Sequence, residues 1–180
     1  MPEITWQLVR GRAYWWKPST WTSPLIGYWG AGFYSHIDVV TPAGYLRGAR
    51  SDTIKVGKWK IPPGYRDRPN NYERWVAQTR YTLSVTDEQY ARYWEYSDRH
   101  LGDPYDERGL IMAFIFGRKH TVRDRRGKWV GWCSQEVARN SEHAGLLRIP
   151  PEVSNVDPGD CAFMFAGLNT RRREMIPVSA

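Results

Sequence analysis

Apolar and polar positions alternate with a period of two from Thr5 to Val9, the pattern of a half-buried strand, and Gly11 with Trp15-Trp16-Lys17-Pro18 ends it. Ser23-Pro24 opens a short apolar turn through Leu25, Ile26, Tyr28 and Trp29, broken by Gly30 and Gly32. Two β-rich runs, Ser35 to Val40 and Tyr45 to Ala49, flank Thr41-Pro42-Ala43-Gly44, which predicts a hairpin. A turn centred on Pro42-Ala43 sets Ala49 opposite His36 and Arg47 opposite Asp38. A short strand is expected at Thr53 to Val56, a loop from Pro62 to Asn71, and a longer strand from Arg74 to Leu83 with Trp75 turned inward.

Helical spacing begins at Thr86-Asp87-Glu88-Gln89, a capping box, after which Tyr90, Tyr93, Trp94, Ser97 and Leu101 recur on one face. A helix from Asp87 to Leu101 follows, stopped by Gly102 and Pro104. A second is expected from Glu107 to Phe116, and a third from Ser134 to Ala144, closed by Gly145. Cys133 therefore heads a helix. Beyond it, Pro150-Pro151 and Asp157-Pro158-Gly159 read as turns, Cys161 to Ala166 as an apolar strand, and residues from about 169 as a polar tail. The sum is an α+β fold, an antiparallel sheet packed against helices, in a single domain spanning residues 1–180. No internal repeat or low-complexity tract interrupts it.

Length and charge narrow the picture. A chain of 180 residues can bury one real core but not comfortably two. Lys and Arg total 26 against 19 acidic residues, a formal charge of +7, so the surface is basic. Nucleic acid, an anionic membrane and acidic envelope polymers would all complement it. The densest runs, Arg118 to Arg126 and Arg171 to Arg173, read as a solvated loop and a charged tail. They form no nucleic-acid reader motif, so no nucleic-acid partner is expected. The N-terminus lacks the features of a signal peptide, and no apolar stretch is long enough to span a membrane. Those signals point to a protein that is soluble and cytoplasmic as synthesised, and they equally fit a phage-encoded product. Two cysteines cannot build a disulfide framework, and Cys161, in its apolar run, is expected to be a buried thiol.

Cys133 has the other environment. A helix N-terminus stabilises a thiolate through its unpaired backbone N–H groups, and the same groups can hold the oxyanion of an attacked carbonyl. Cysteine hydrolysis also needs a base of near-neutral pKa, and His36, at the start of the hairpin strand, has rigid β support that His100, His120 and His143 lack. No metal site or cofactor is called for.

Three motifs, in this order, resemble the circularly permuted branch of the NlpC papain-like superfamily, which includes the YaeF/YiiX-type amidases. They are Tyr34-Ser35-His36-Ile37-Asp38-Val39-Val40 followed by Gly44 and Leu46-Arg47-Gly48-Ala49, then Gly102-Asp103-Pro104-Tyr105-Asp106, then Trp132-Cys133-Ser134-Gln135-Glu136-Val137-Ala138. Histidine precedes cysteine, as in the permuted family. The resemblance covers roughly residues 5 to 145. It implies a papain-like fold, Cys133 as nucleophile, His36 as general base, and an amide substrate, with peptidoglycan stem peptides the leading class. It also implies a third polar group orienting the imidazole. Ala49 cannot serve, which leaves Asp38, two residues on and on the same face, or Asp52. Strand geometry favours Asp38, with an ion pair to Arg47 as its alternative role. Tyr34, Ser35, Tyr105, Asp106 and Trp132 are candidates for substrate contact, although Tyr105 and Asp106 equally suit a helix cap. Core packing accounts for part of the aromatic cluster Trp15, Trp16, Trp21, Trp29, Phe33 and Tyr34, but Trp15 and Trp16 cannot both point inward on a strand, and one of them would shape a substrate groove. The rival class is a non-catalytic papain-like binding module for an envelope polymer or a virion partner.

Overall fold

The structure, a computed structural model, describes residues 1–11, 34–56, 59–70, 75–106, 131–149, 156 and 158–175. The aromatic run from Trp15 to Phe33, the expected helix from Glu107 to Phe116, the basic run from Arg118 to Arg126 and His120 lie outside those residues, as does the side chain of Trp75.

The protein is α+β. Strands β1 (Glu3–Gly11), β2 (His36–Val40), β3 (Leu46–Arg50), β6 (Gly64–Arg68), β7 (Trp75–Ser84) and β8 (Arg171–Met175) form one sheet in the order β6-β3-β2-β1-β7-β8, and every pairing in it is antiparallel. Strands β4 (Ile54–Val56) and β5 (Trp59–Ile61) make a separate two-stranded sheet. The helices among the described residues are α1 (Asp87–Arg99), α2 (Cys133–His143) and α3 (Pro158–Gly167). None is long and apolar enough to cross a membrane.

Alternation decides which sheet face the helices cover. Ile4, Trp6 and Leu8 of β1, with Ile37 and Val39 of β2, pack against Tyr93 of α1, Val137 and Ala138 of α2, and Cys161 and Phe165 of α3. Trp6 stacks on Phe165 with ring centroids 4.1 Å apart, and its indole N–H donates to Tyr93 Oη at 3.0 Å. Each such fully buried large side chain contributes about 1.5–3 kcal/mol relative to exposure. Helix α1 starts where the sequence predicts. The Thr86 hydroxyl accepts from the Gln89 backbone N–H at 3.1 Å, and the Gln89 side chain accepts from the Thr86 N–H at 3.1 Å.

Four expectations need correction. The segment from Pro62 to Asn71 is not all loop: Gly64–Arg68 is edge strand β6, paired to β3, and Tyr65 and Asp67 alternate there with Arg66 and Arg68. Cys161 to Ala166 is helical rather than extended. A short apolar run fits either state, and Pro158 at the first helical position with Asp160 in the first turn starts a helix. Arg171 to Arg173 are not tail but the start of β8.

The fourth correction bears on the site. In the hairpin, Val39 opposes Arg47 and Val40 opposes Leu46, one residue out of the expected register. Gly44 has a φ of +81°, its N–H donates to Thr41 O at 2.8 Å, and the Thr41 N–H donates to Tyr45 O at 2.8 Å. This is a three-residue loop ending in a left-handed residue, not a two-residue one. A one-residue slip moves a side chain to the other face. Arg47 therefore leaves Asp38 and joins the helix side, where it bonds Asp67 at 2.5 and 2.9 Å, Ser97 Oγ at 3.1 Å and Asp98.

Candidate active site

Helix α2 brings Cys133 to the start of β2. Its first turn is fastened from outside the helix: the Ser134 hydroxyl and the Trp132 indole N–H both donate to Val156 O, at 2.6 and 3.0 Å. Trp132, at the N-cap position, makes no side-chain cap bond, so the partial positive charge of the first N–H groups lies near the sulfur. Valine and alanine at 137 and 138 then bury the helix against β2.

Cys133 and His36, 97 residues apart in sequence, lie close enough to act on one another electrostatically, and the Ile37 backbone acts on the sulfur as well. Burial pushes the Cys133 thiol up, yet the neighbouring His36 and the Ile37 backbone outweigh it, so its pKa lies below the ordinary thiol value. His36 moves the other way. Burial lowers it, while the Asp38 carboxylate and the Cys133 sulfur raise it, and the net effect is upward. The two shifts together favour a thiolate beside an imidazolium. Cys133 is 5% exposed as a residue and the His36 side chain 18%, so the pair is sheltered, with the imidazole its more open side.

Asp38 lies against the ring. Its Oδ1 is 3.1 Å from His36 Nε2, and its Oδ2 bonds the Arg68 guanidinium, a pair in which both side chains are buried. Arg68 Nη2 also stands 3.0 Å from His36 Nε2. One ring nitrogen cannot donate to Asp38 and accept from Arg68 together. In the imidazolium, Nε2 carries a proton and Asp38 is its acceptor. Arg68 then compensates the charge of a carboxylate that would otherwise be isolated in the interior. Asp52, the other candidate, is half-exposed and bonded to Arg50 at 2.6 and 2.7 Å.

Two residues at this cluster carried no assignment from the sequence. Arg68 sits in the stretch read as loop; the alternation through Tyr65 and Asp67 was the available signal. Gly48, within the return-strand motif, leaves the room that Asp38 occupies: a Cβ there would fall 2.0 Å from Asp38 Oδ1.

Of the remaining candidates, Tyr34 and Ser35 flank the strand start but are turned to structural partners. Tyr34 Oη bonds Thr79 Oγ1 at 2.6 Å, and the Ser35 hydroxyl donates to Val9 O at 3.2 Å. Trp132 is 2% exposed, with its indole committed to Val156, so the structure places it in the interior rather than on a substrate surface. Tyr105 forms a parallel bridge with Gly131, and the Asp106 N–H donates to Gly131 O at 3.2 Å. That contact lays their segment alongside the approach to Cys133. The helix they were expected to cap is outside the described residues. Arg47 is not the partner of Asp38, for the register reason above.

No family model matches the chain, and no curated protein matches it in sequence. Function must therefore be read from the cluster itself. Among the described residues, no three His, Cys, Asp or Glu side chains converge as a metal site requires. What the cluster offers is a nucleophile, a proton carrier beside it, and a carboxylate on the carrier's Nε2.

Proposed function

We propose that the protein is a thiol-dependent hydrolase of amide bonds, of the circularly permuted NlpC papain-like type. The carrying observation is the juxtaposition of Cys133, His36 and Asp38: His36 Nε2 is 3.1 Å from Asp38 Oδ1, and the sulfur and the imidazole act on one another so that the first is pushed down and the second up. The Cys133 thiolate attacks the amide carbonyl and forms a tetrahedral oxyanion, which the N–H groups at the start of α2 stabilise. Collapse expels the amine, protonated by His36, and leaves an acyl-enzyme. Water, deprotonated by His36, then attacks the thioester and releases the acid. Asp38 holds the imidazole in orientation and accepts from Nε2 throughout. The motif resemblance adds peptidoglycan stem peptides as the first substrate class to test.

Cys133→Ala should abolish turnover of an amide substrate with the fold intact, and His36→Ala should slow acylation of the sulfur by a reactive acyl probe. Undiminished turnover in Cys133→Ala would end the mechanism. The competing reading is a binding module on the same scaffold, favoured by the near-complete burial of Cys133. A Cys133 that reacts with iodoacetamide at pH 6 no faster than a free thiol would support that module instead.

A further inference from the structure

The sheet face that carries His36 and Asp38 also carries a row of polar side chains leading away from them. Gln7 opposes Asp38 across β1 and β2, Arg80 opposes Gln7 across β1 and β7, and Arg173 opposes Arg80 across β7 and β8. Cross-strand neighbours share a face, so these four residues form one continuous line.

Two guanidinium groups directly opposite one another repel, and a sheet has no structural use for that pairing. Neighbouring Arg171 is neutralised by Glu3, whereas neither Arg80 nor Arg173 forms an ion pair among the described residues. Arg80 is instead held by a neutral group: its Nε donates to Gln7 Oε1 at 2.8 Å. Gln7, fully buried, has its amide nitrogen directed to Asn70 Oδ1 at 3.3 Å, which fixes its oxygen towards Arg80. Among the described residues, no hydrogen bond holds the terminal nitrogens of Arg80. Burial, and then Arg173, push the Arg80 guanidinium below its ordinary value, which an anion between the two would reverse. Arg173 is exposed, so the pair can be reached from solvent.

We propose that Arg80 and Arg173, organised by Gln7, form an anion clamp that binds a carboxylate or phosphate on the amide substrate. The assignment rests on the hydrolase reading for its link to Cys133. Strands lie about 4.8 Å apart, so Arg80 stands roughly 10 Å from Asp38 along the row. An extended peptide covers that span in about three residues. Reckoned from Asp38 rather than from the sulfur, that places the anionic group some three residues along an extended substrate.

The test uses the whole chain and three chloroacetyl tripeptides: one ending in a free carboxylate, its carboxamide, and a carboxamide bearing a phosphate at the third residue. Alkylation of Cys133 is followed by intact mass. The carboxylate or the phosphate probe should react about tenfold faster than the neutral one, the yield of a charge-assisted contact. The faster of the two identifies the source. In the double variant Arg80→Gln/Arg173→Gln the ratio should fall to one. Where Cys133 reacts faster than a free thiol, equal rates in the parent, or a ratio that survives in the variant, would overturn the clamp. Removing two opposed like charges leaves the sheet no worse packed, so the variant is expected to fold. A second readout needs no reactive cysteine: in Cys133→Ala, inorganic phosphate should shift the Arg80 and Arg173 Nε–H resonances saturably. Absence of a saturable shift would also overturn the proposal. Saturation with a Cys133 that no probe alkylates faster than a free thiol would overturn the hydrolase reading and sustain the clamp.

Discussion

At Cys133 the opposing effects can be ranked by sign. Burial alone would keep the thiol protonated, and the net downward shift means that His36 and the Ile37 N–H more than offset desolvation. With His36 shifted upward as well, both changes move the balance towards a thiolate–imidazolium pair. Alkylation of Cys133 should therefore remain fast below pH 8, where a free thiol slows, and His36→Ala should return the profile towards that of a free thiol. A rate-against-pH series on the two proteins checks this. Gly48 makes a sharper case, because the displaced group is known. Gly48→Ala would put a methyl 2.0 Å from Asp38 Oδ1, so the carboxylate must leave its place beside His36. Misplacing an orienting group by about 1 Å can cost roughly 10²-fold in rate, and kcat should fall on that order in a folded protein. Unchanged kcat would remove Asp38 from the proposed mechanism. Truncating Arg68 to Met, which removes the guanidinium from its buried pair with Asp38, should instead cost about 3 kcal/mol of stability by urea unfolding.

At the scale of elements, the hairpin explains both what the sequence disclosed and what it withheld. Alternation located β1, β2, β3 and β7, and the Thr86 capping box located α1, because those signals depend on local chemistry. Register was not local in the same way. Whether Pro42-Ala43 or Pro42-Ala43-Gly44 forms the loop depends on the positive φ of Gly44, and that one residue decides whether Arg47 faces Asp38 or the helices. Strand β6 was hidden for a related reason: Gly64–Arg68 is too polar to read as buried, and its order comes from pairing with β3. The Cys161 run failed differently, since apolar residues throughout erase the period that separates strand from helix. For the candidate site, the positions of His36, Asp38 and Cys133 were legible from motif and helix start, while Arg68 and Gly48 required coordinates. Gly44→Ala tests the loop assignment. A left-handed non-glycine residue costs about 1–2 kcal/mol, so a loss of that size is expected in urea, whereas a two-residue turn at Pro42-Ala43 would not demand it.

Across the whole molecule, the sheet bearing His36 and the helix bearing Cys133 are held in place by polar contacts as well as by the apolar core. Arg47 of β3 reaches Ser97 of α1, Ser97 bonds Tyr65 of β6 at 2.8 Å, and Asn140 of α2 donates to Tyr65 Oη at 2.8 Å. Four elements thus share one buried network, and the helix carrying the nucleophile is one of them. Glu136, one turn beyond Cys133 on that helix, works against stability. It is 2% exposed, its Oε1 is bonded to Arg139 at 3.2 Å, and its Oε2 has no hydrogen-bond partner among the described residues. Burial raises its pKa, and Arg139 and His100 only partly reverse this. An acid whose folded pKa is raised binds its proton more tightly in the native state. Its contribution is therefore fully present below its unfolded pKa and is lost as pH rises through the folded one. Raised His36 has the same sign and lowered Cys133 the opposite one, so the proton that His36 keeps is offset by the proton that Cys133 gives up, and the pair adds little slope of its own. Glu136→Gln removes the Glu136 loss and leaves that pair untouched. Urea unfolding of the two proteins should give equal stability near pH 4 and a more stable variant at pH 6. A variant less stable than the parent at pH 6 would mean that the Glu136 charge, held by Arg139, supports the helix rather than burdening it.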